Sequence, residues 1–125
     1  MEHIKISEGE YRLACIVWDN EPLPSGRLVE LAADKLGWKK STTYTVLKKL
    51  VSRGVLKNEN ATVSALIPRA DILREESRDV VERTFGGSLP SFLTSFMSGR
   101  TLSAAEAEEL KALIDRFREG GAGDD

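Results

Sequence analysis

Apolar positions near the start of the chain recur at helical spacing and predict a first helix. Tyr11, Ala14, Val17 and Trp18 fall every three to four residues, which places them on one face. Ser7 and Glu10 precede this run, and their spacing of three residues is that of a capping box. The polar, proline-containing segment 19–24 ends this helix.

Two further helices follow at once. Ser25 is a candidate N-cap for the second helix, which ends at Gly37. The third helix runs from about Thr42 to Arg53, with Gly54 as its C-cap. Three helices with a short second connection predict a helix-turn-helix unit.

The hydrophobic period then changes from helical to strand-like. Residues 55–57 and 62–67 are short strand-like runs, and the segment 58–61 between them is rich in turn-forming residues. A hairpin directly after a helix-turn-helix is the wing of a winged-helix domain.

The rest of the chain returns to helical patterning in three pieces. Asp71 is the candidate cap of the first, Gly86-Gly87 breaks it, and Ser88 caps the second. Ser103 with Glu106 predicts a capping box for the third. Two apolar stripes result, and we expect them to pack against a second copy of the chain: Leu89, Phe92, Leu93, Phe96, Leu110, Leu113, Ile114 and Phe117.

These elements predict a mainly α-helical protein with a small β-hairpin. We assign residues 1–70 to a winged helix-turn-helix DNA-binding domain and 71–119 to a C-terminal helical dimerisation domain. Residues 120–125 are predicted to be a disordered tail. The alternative for 71–119 is that its helices fold back on their own winged helix.

Charge is concentrated on the predicted third helix. Residues 35–54 carry six Lys or Arg and no Asp or Glu, although the chain has a net charge of -2. A merely solvated helix usually mixes both signs. One side of the third helix is apolar and should pack inward: Thr43, Val46, Leu47, Leu50 and Val51.

The opposite side of this helix suits the major groove of duplex DNA. Hydroxyls can bond phosphates or base edges, and lysines can neutralise phosphates. Lys39 and Lys40 lie at the helix N-terminus, where exposed N–H groups also favour a phosphate. The outward residues are Ser41, Tyr44, Thr45, Lys48, Lys49 and Ser52. One helix covers few base pairs, so we expect a homodimer on two half-sites.

Composition argues against several other classes of protein. Cys15 is the single cysteine and His3 the single histidine, so we predict no metal site, no cofactor and no enzymatic function. No apolar run approaches a membrane span of about 20 residues. The first ten residues are too polar for a secretory signal, and we expect a cytoplasmic protein without membrane insertion.

Four stretches resemble the penicillinase-repressor family, which includes beta-lactamase, methicillin-resistance and copper-transport repressors. They are ISEGEYRLACIVWDNEPLPS, LGWKKSTTYTVLKKLVSRGVL, EESRDVVERTFGGSLPSFLTSFM and LSAAEAEELKALI, between Ile6 and about Phe117. The resemblance implies a homodimeric repressor that binds palindromic operators. It also implies a winged helix followed by a helical dimerisation domain.

The resemblance implies particular site residues as well. The family's DNA-contacting positions fall on Ser41, Thr42, Tyr44, Thr45 and Lys49. Tyr44 stands where Arg or Lys is common in the family, so the operator sequence should differ from the one its members usually bind. Lys40 stands where proline is usual, so the turn before the third helix should also differ. The wing, residues 58–67, lacks the basic and aromatic residues often found there.

Induction in the antibiotic-resistance relatives implies a membrane sensor or protease as a partner. The bond that matches their cleavage site is Ser95–Phe96, where Asn is typical in the first position. Phe96 also belongs to the apolar stripe. The copper-responsive members carry a C-terminal cysteine motif, and this chain has no cysteine after Cys15.

Two other functions remain open from the sequence. A winged helix can serve as a protein-interaction module that docks acidic partners. A repressor can also be controlled by a small ligand bound between dimerisation helices, although no polar cluster there would orient one.

Overall fold

The computed structural model describes residues 4–118, and the predicted tail at 120–125 lies outside them. The chain divides into two compact units, Met1–Gly86 and Gly87–Asp125. The predicted mainly helical fold with a winged helix-turn-helix is confirmed.

The first unit contains four helices and three short strands. Its elements are α1 Glu8–Asn20, β1 Leu23–Pro24, α2 Ser25–Leu36, α3 Lys40–Ser52, β2 Leu56–Glu59, β3 Thr62–Ala65 and α4 Arg69–Thr84. The strands form an antiparallel sheet in the order β1-β3-β2. The β2–β3 hairpin is the predicted wing. The two-residue β1, which pairs Leu23 with Val63, was not predicted because it is too short to show a period.

The predicted start of α1 is confirmed in detail. The Ser7 hydroxyl accepts from the Glu10 backbone N–H at 3.1 Å, and the Glu10 carboxylate accepts from the Ser7 N–H at 2.7 Å. Two donors that the first helical turn would leave unpaired are thereby satisfied. At the end of α2, Gly37 takes the left-handed conformation (φ 72°) that lets the chain turn directly into α3.

Two predicted caps are wrong, and both errors involve a proline. Pro24 and Pro68 are the N-cap residues of α2 and α4, so these helices begin at Ser25 and Arg69. Proline already holds the φ near -65° that leads into a helix. Ser25 is instead buried, and Asp71 lies in the first turn of α4, where a carboxylate complements the helix dipole.

The hydrophobic core lies within the first unit. Helices α1, α2 and α3, the wing and one residue of α4 contribute buried apolar side chains: Ile6, Leu13, Ala14, Ile16, Val17, Leu23, Leu28, Leu31, Ala32, Leu47, Leu50, Val55, Leu56, Val63 and Ile72. Because Ile72 is only 1% exposed, α4 packs on this core and belongs to the first compact unit. The function of residues 71–119 stays a prediction.

The second unit contains α5 Leu89–Met97 and α6 Ala104–Phe117. Ser88 and Ser103 are confirmed as N-caps, since their hydroxyls accept from the N–H groups of Ser91 and Glu106 at 3.1 and 3.0 Å; for Ser103 and Glu106 this is one of the two hydrogen bonds of the predicted capping box. Neither helix contains a buried residue.

Candidate nucleic-acid interface

Helix α3 is fixed by a buried face. Thr43, Leu47 and Leu50 are at most 2% exposed, and α3 contacts α1, α2 and β2. The Thr43 hydroxyl donates a hydrogen bond to the Lys39 carbonyl at 3.1 Å, so the Thr43 side chain is buried without leaving a polar group unpaired. This packing determines which side of α3 faces outward.

The helix begins two residues earlier than predicted, at Lys40 instead of Thr42. Lys39 is therefore the N-cap residue, with an extended backbone (φ -74°, ψ 159°), and its side chain makes no capping hydrogen bond. Lys40 and Ser41 consequently lie in the first helical turn.

The outer face of α3, with the preceding lysine, is exposed at nearly every predicted position. Lys39, Lys40, Ser41, Thr42, Thr45, Lys48 and Lys49 are all exposed. Within residues 4–118, none of these four lysines forms an ion pair with a carboxylate. The surface therefore offers uncompensated ammonium groups beside small hydroxyls.

Two residues of α3 depart from the predicted faces. Tyr44 is half-buried, and its hydroxyl lies 3.4 Å from the hydroxyl of the buried Ser25. Val51, predicted to pack inward, is 36% exposed, because the last turn of α3 borders a groove beside β2. Tyr44 thus joins the start of α2 to the middle of α3 and presents only part of its ring outward.

The sixth cation of the acid-free stretch has a structural partner. Arg53, the C-cap residue of α3, lies 3.6 Å from the carboxylate of the buried Glu10 and donates to the Lys5 carbonyl. The contact ties the end of α3 to the start of α1. Arg53 therefore helps to orient α3, in contrast to the four exposed lysines.

The wing is short and nearly neutral. Its turn residues Asn60 and Ala61 both have positive φ (54° and 58°), as a tight two-residue hairpin turn requires. The Ala61 carbonyl accepts from the Ser25 N–H at 2.8 Å, which holds the turn against the start of α2. Lys57 lies 3.7 Å from Glu59, so the only cation of strands β2 and β3 has an acidic neighbour.

A groove of about 430 Å³ separates α3 from β2 and is lined by Tyr44, Thr45, Leu47, Lys48, Val51 and Asn58. We call it the α3–β2 groove. Sequence reasoning missed Asn58 and Val51 as part of this surface. A signal for Asn58 was available in the sequence, because residues two apart in a strand share a face and Asn58 therefore lies on the same face as the apolar Leu56.

The second unit carries the predicted dimerisation residues on its surface. Seven of the eight are 37–61% exposed, namely Leu89, Leu93, Phe96, Leu110, Leu113, Ile114 and Phe117, and Phe92 is half-buried. A groove of about 570 Å³ between α5 and α6 has a mostly apolar lining that includes Leu93, Phe96, Leu110 and Leu113. The structure therefore brings part of each stripe together on this groove.

The Ser95–Phe96 bond lies in the last turn of α5, and both residues are exposed. Arg100 holds Phe96 in two ways. Its Nε donates to the Phe96 carbonyl at 2.8 Å, and its guanidinium carbon lies 4.5 Å from the centre of the Phe96 ring. Both contacts favour the helical form of this turn.

This chain matches a known protein family. The sequence model described as "Penicillinase repressor" matches residues 6–116, which is most of the chain and includes both units. The chain belongs to the penicillinase repressor family. The family resemblance of its four sequence stretches is thereby confirmed.

Several relatives are similar to this chain at low identity over most of their length. The penicillinase repressor of Bacillus licheniformis is 20% identical over 118 residues, covering 91% of this chain and 92% of the relative. The methicillin resistance regulatory protein MecI of Staphylococcus aureus is 22% identical over 116 residues, covering 90% and 94%. A 16.5 kDa protein of Latilactobacillus sakei is 25% identical over 114 residues, covering 88% and 78%.

Family membership defines the general role of the chain. It is a DNA-binding transcriptional repressor, and its named relatives are regulators and not enzymes. In the described part of this repressor, no helix is long and apolar enough to cross a membrane. Residues 4–118 likewise contain no group of three His, Cys, Asp or Glu side chains that could hold a metal ion.

Proposed function

We propose that this repressor binds a palindromic operator as a homodimer, with α3 of each subunit in the major groove. The observation that carries the proposal is the outer face of α3. Its lysines have no carboxylate partner within residues 4–118, and small hydroxyls lie between them. A helix with this face can enter the groove without bulky obstruction, neutralise phosphates and reach base edges.

The proposed roles differ along the face. Lys39, Lys40 and Lys49 neutralise phosphates, and the exposed first turn of α3 adds backbone N–H groups that favour an anion. Thr45 lies in the middle of the helix, where its methyl and hydroxyl groups can contact a base pair. Tyr44 contributes part of its ring, since its hydroxyl is directed to Ser25.

The homodimer is supported by the second unit. Helices α5 and α6 bury no residue, and four of the eight residues of their apolar stripes line one groove. A segment of roughly 40 residues seldom builds a stable core alone. We propose that the stripes of two copies interleave and so hold two α3 helices at the spacing of two half-sites.

Salt-dependent binding tests the DNA proposal. Fluorescence anisotropy with duplexes from the region upstream of the repressor's own gene should show an affinity that falls steeply with salt concentration. Lys49→Ala should weaken binding about tenfold at low salt, because each dimer loses two phosphate contacts. Thr45→Ala should instead change the preferred operator sequence.

A matched control is available in the second unit. Lys111 is exposed and pairs with Glu108 at 3.3 Å, so Lys111→Ala removes the same charge far along the chain from α3. It should leave DNA affinity within about twofold, as expected for a surface charge outside the interface. Absence of any bound duplex at low salt, with folded protein, would refute the proposal.

We further propose that cleavage at Ser95–Phe96 by a sensor-controlled protease releases the operator. Support comes from the position of this bond in the last turn of a nine-residue helix, where local unwinding can expose it although Phe96 belongs to the proposed dimer interface. Mass spectrometry of the repressor from its own cells, before and after induction of its target gene, should reveal a fragment that begins at Phe96. Induction with the chain intact would overturn this part of the proposal and leave DNA binding unaffected.

A further inference from the structure

The α3–β2 groove lies beside the surface that the proposed function places in the major groove. It is lined by the side chains of Tyr44, Thr45, Leu47, Lys48, Val51 and Asn58, and none of them is acidic. Thr45 and Lys48 belong both to this lining and to the outer face of α3. The groove is therefore continuous with the proposed interface.

The two sides of the groove present different donors. Lys48 of α3 provides an ammonium group, and Asn58 of β2 provides an amide. The lining also includes Leu47, Val51 and part of Tyr44, which add apolar surface. An ammonium group and an amide suit a phosphate, and apolar surface suits the deoxyribose next to it.

The strand register shows which face of the wing borders α3. Asn58 pairs with Val63, which is fully buried, so the Asn58 side chain lies on the face of the sheet that packs toward the core. Glu59 pairs with Thr62 on the opposite face. The acidic side chain of the wing is therefore directed away from the groove.

We infer that the α3–β2 groove binds one deoxyribose–phosphate strand at the edge of the major groove, with Asn58 and Val51 as contact residues. This inference rests on the proposed function and adds the base of the wing to the interface. The wing contacts DNA through its first strand. Its turn, held at Ala61 and without a free cation among residues 57–61, does not grip phosphates.

Matched charge substitutions on the two faces of the wing test this inference. Asn58→Lys places an ammonium group in the groove, and Thr62→Lys places the same group on the opposite face. Each dimer carries two substitutions, so Asn58→Lys should steepen the slope of log affinity against log salt by about 1.8, or 0.9 per phosphate. It should also tighten binding at least about fivefold at low salt.

Substitutions of the opposite sign complete the test. Asn58→Asp should weaken binding at least about tenfold, whereas Thr62→Lys and Thr62→Asp should remain within about threefold of the unmodified protein. Tighter binding cannot arise from misfolding, so Asn58→Lys is informative even if another variant is unstable. Thermal unfolding by circular dichroism verifies that each protein is folded.

The outcomes separate this inference from the proposed function. Suppose that Lys49→Ala weakens DNA binding but that Asn58→Lys and Thr62→Lys change the affinity and the salt slope equally. The groove then does not contact DNA, so this inference fails while the proposed function stands. If the unmodified repressor binds no duplex, both fail. A steeper salt slope for Asn58→Lys alone supports both.

Discussion

The two compact units differ in where their apolar side chains lie. In the described part of the chain, the first unit buries fifteen hydrophobic residues, whereas the second buries none and exposes eight large ones. Both units contain helices with side-chain N-caps, at Ser7 in the first unit and at Ser88 and Ser103 in the second, so the difference is not in secondary structure. The first unit thus completes its core within a single chain, whereas the second leaves apolar faces for a further surface to cover.

The largest expected effect concerns the core of the first unit. Leu13 is fully buried, and Leu13→Ala should lower the free energy of unfolding by about 2–5 kcal/mol through lost burial and a residual cavity. Urea denaturation measures this loss. In the second unit, Leu93 is 37% exposed, and Leu93→Ala should cost less than about 1 kcal/mol in dilute protein. Equal losses for the two variants would show that the second unit also has a core of its own.

A smaller effect is expected on association through the second unit. Ile114 is 54% exposed, and Ile114→Glu would place a carboxylate in the proposed apolar interface. We expect the dimer dissociation constant to rise about a hundredfold, corresponding to roughly 2.8 kcal/mol. Analytical ultracentrifugation measures it.

The control for Ile114 lies on another side of α6. Ala105 is exposed and lies outside the stripe, so Ala105→Glu introduces the same carboxylate without entering the interface. It should sediment like the unmodified protein. Identical behaviour of both variants would place the dimer contact elsewhere.

A several-fold effect is expected at the end of α5. Arg100→Ala removes the hydrogen bond to the Phe96 carbonyl and the stacking on its ring, so this turn should unwind more often. Limited chymotrypsin digestion, followed by mass spectrometry, should show cleavage after Phe96 about three to ten times faster. Arg74→Ala, in α4, is the control and should leave this rate unchanged. An unchanged rate for Arg100→Ala would mean that Arg100 does not hold the turn closed.

The smallest expected effect is an alkaline pH dependence in the first unit. Burial, together with a hydrogen bond to Cys15, raises the pKa of Tyr11 above its usual value near 10. The folded state therefore favours the neutral phenol. The contribution of this phenol to the free energy of unfolding is complete below pH 10 and is lost as pH rises through the pKa of the folded state. Tyr11→Phe should flatten the decline in unfolding free energy above pH 10. A decline of unchanged slope would assign it to other groups.

The sequence alone determined the order and type of most elements, because their signals are local. Helical spacing with Ser7, Ser88 and Ser103 as caps identified three helix starts, and Gly37 identified a turn. It misassigned the caps at Ser25 and Asp71, since a preceding proline sets the backbone without a side-chain hydrogen bond. It also located the acid-free surface of α3.

Tertiary structure alone decided how those elements are used. Ile72 packs in the core of the first unit, Val51 borders a groove, and Asn58 lies beside α3, because each position depends on how separate elements pack against one another. A periodic pattern specifies which side of a helix is apolar. It does not specify which surface will cover that side, because burial depends on the packing of all elements together.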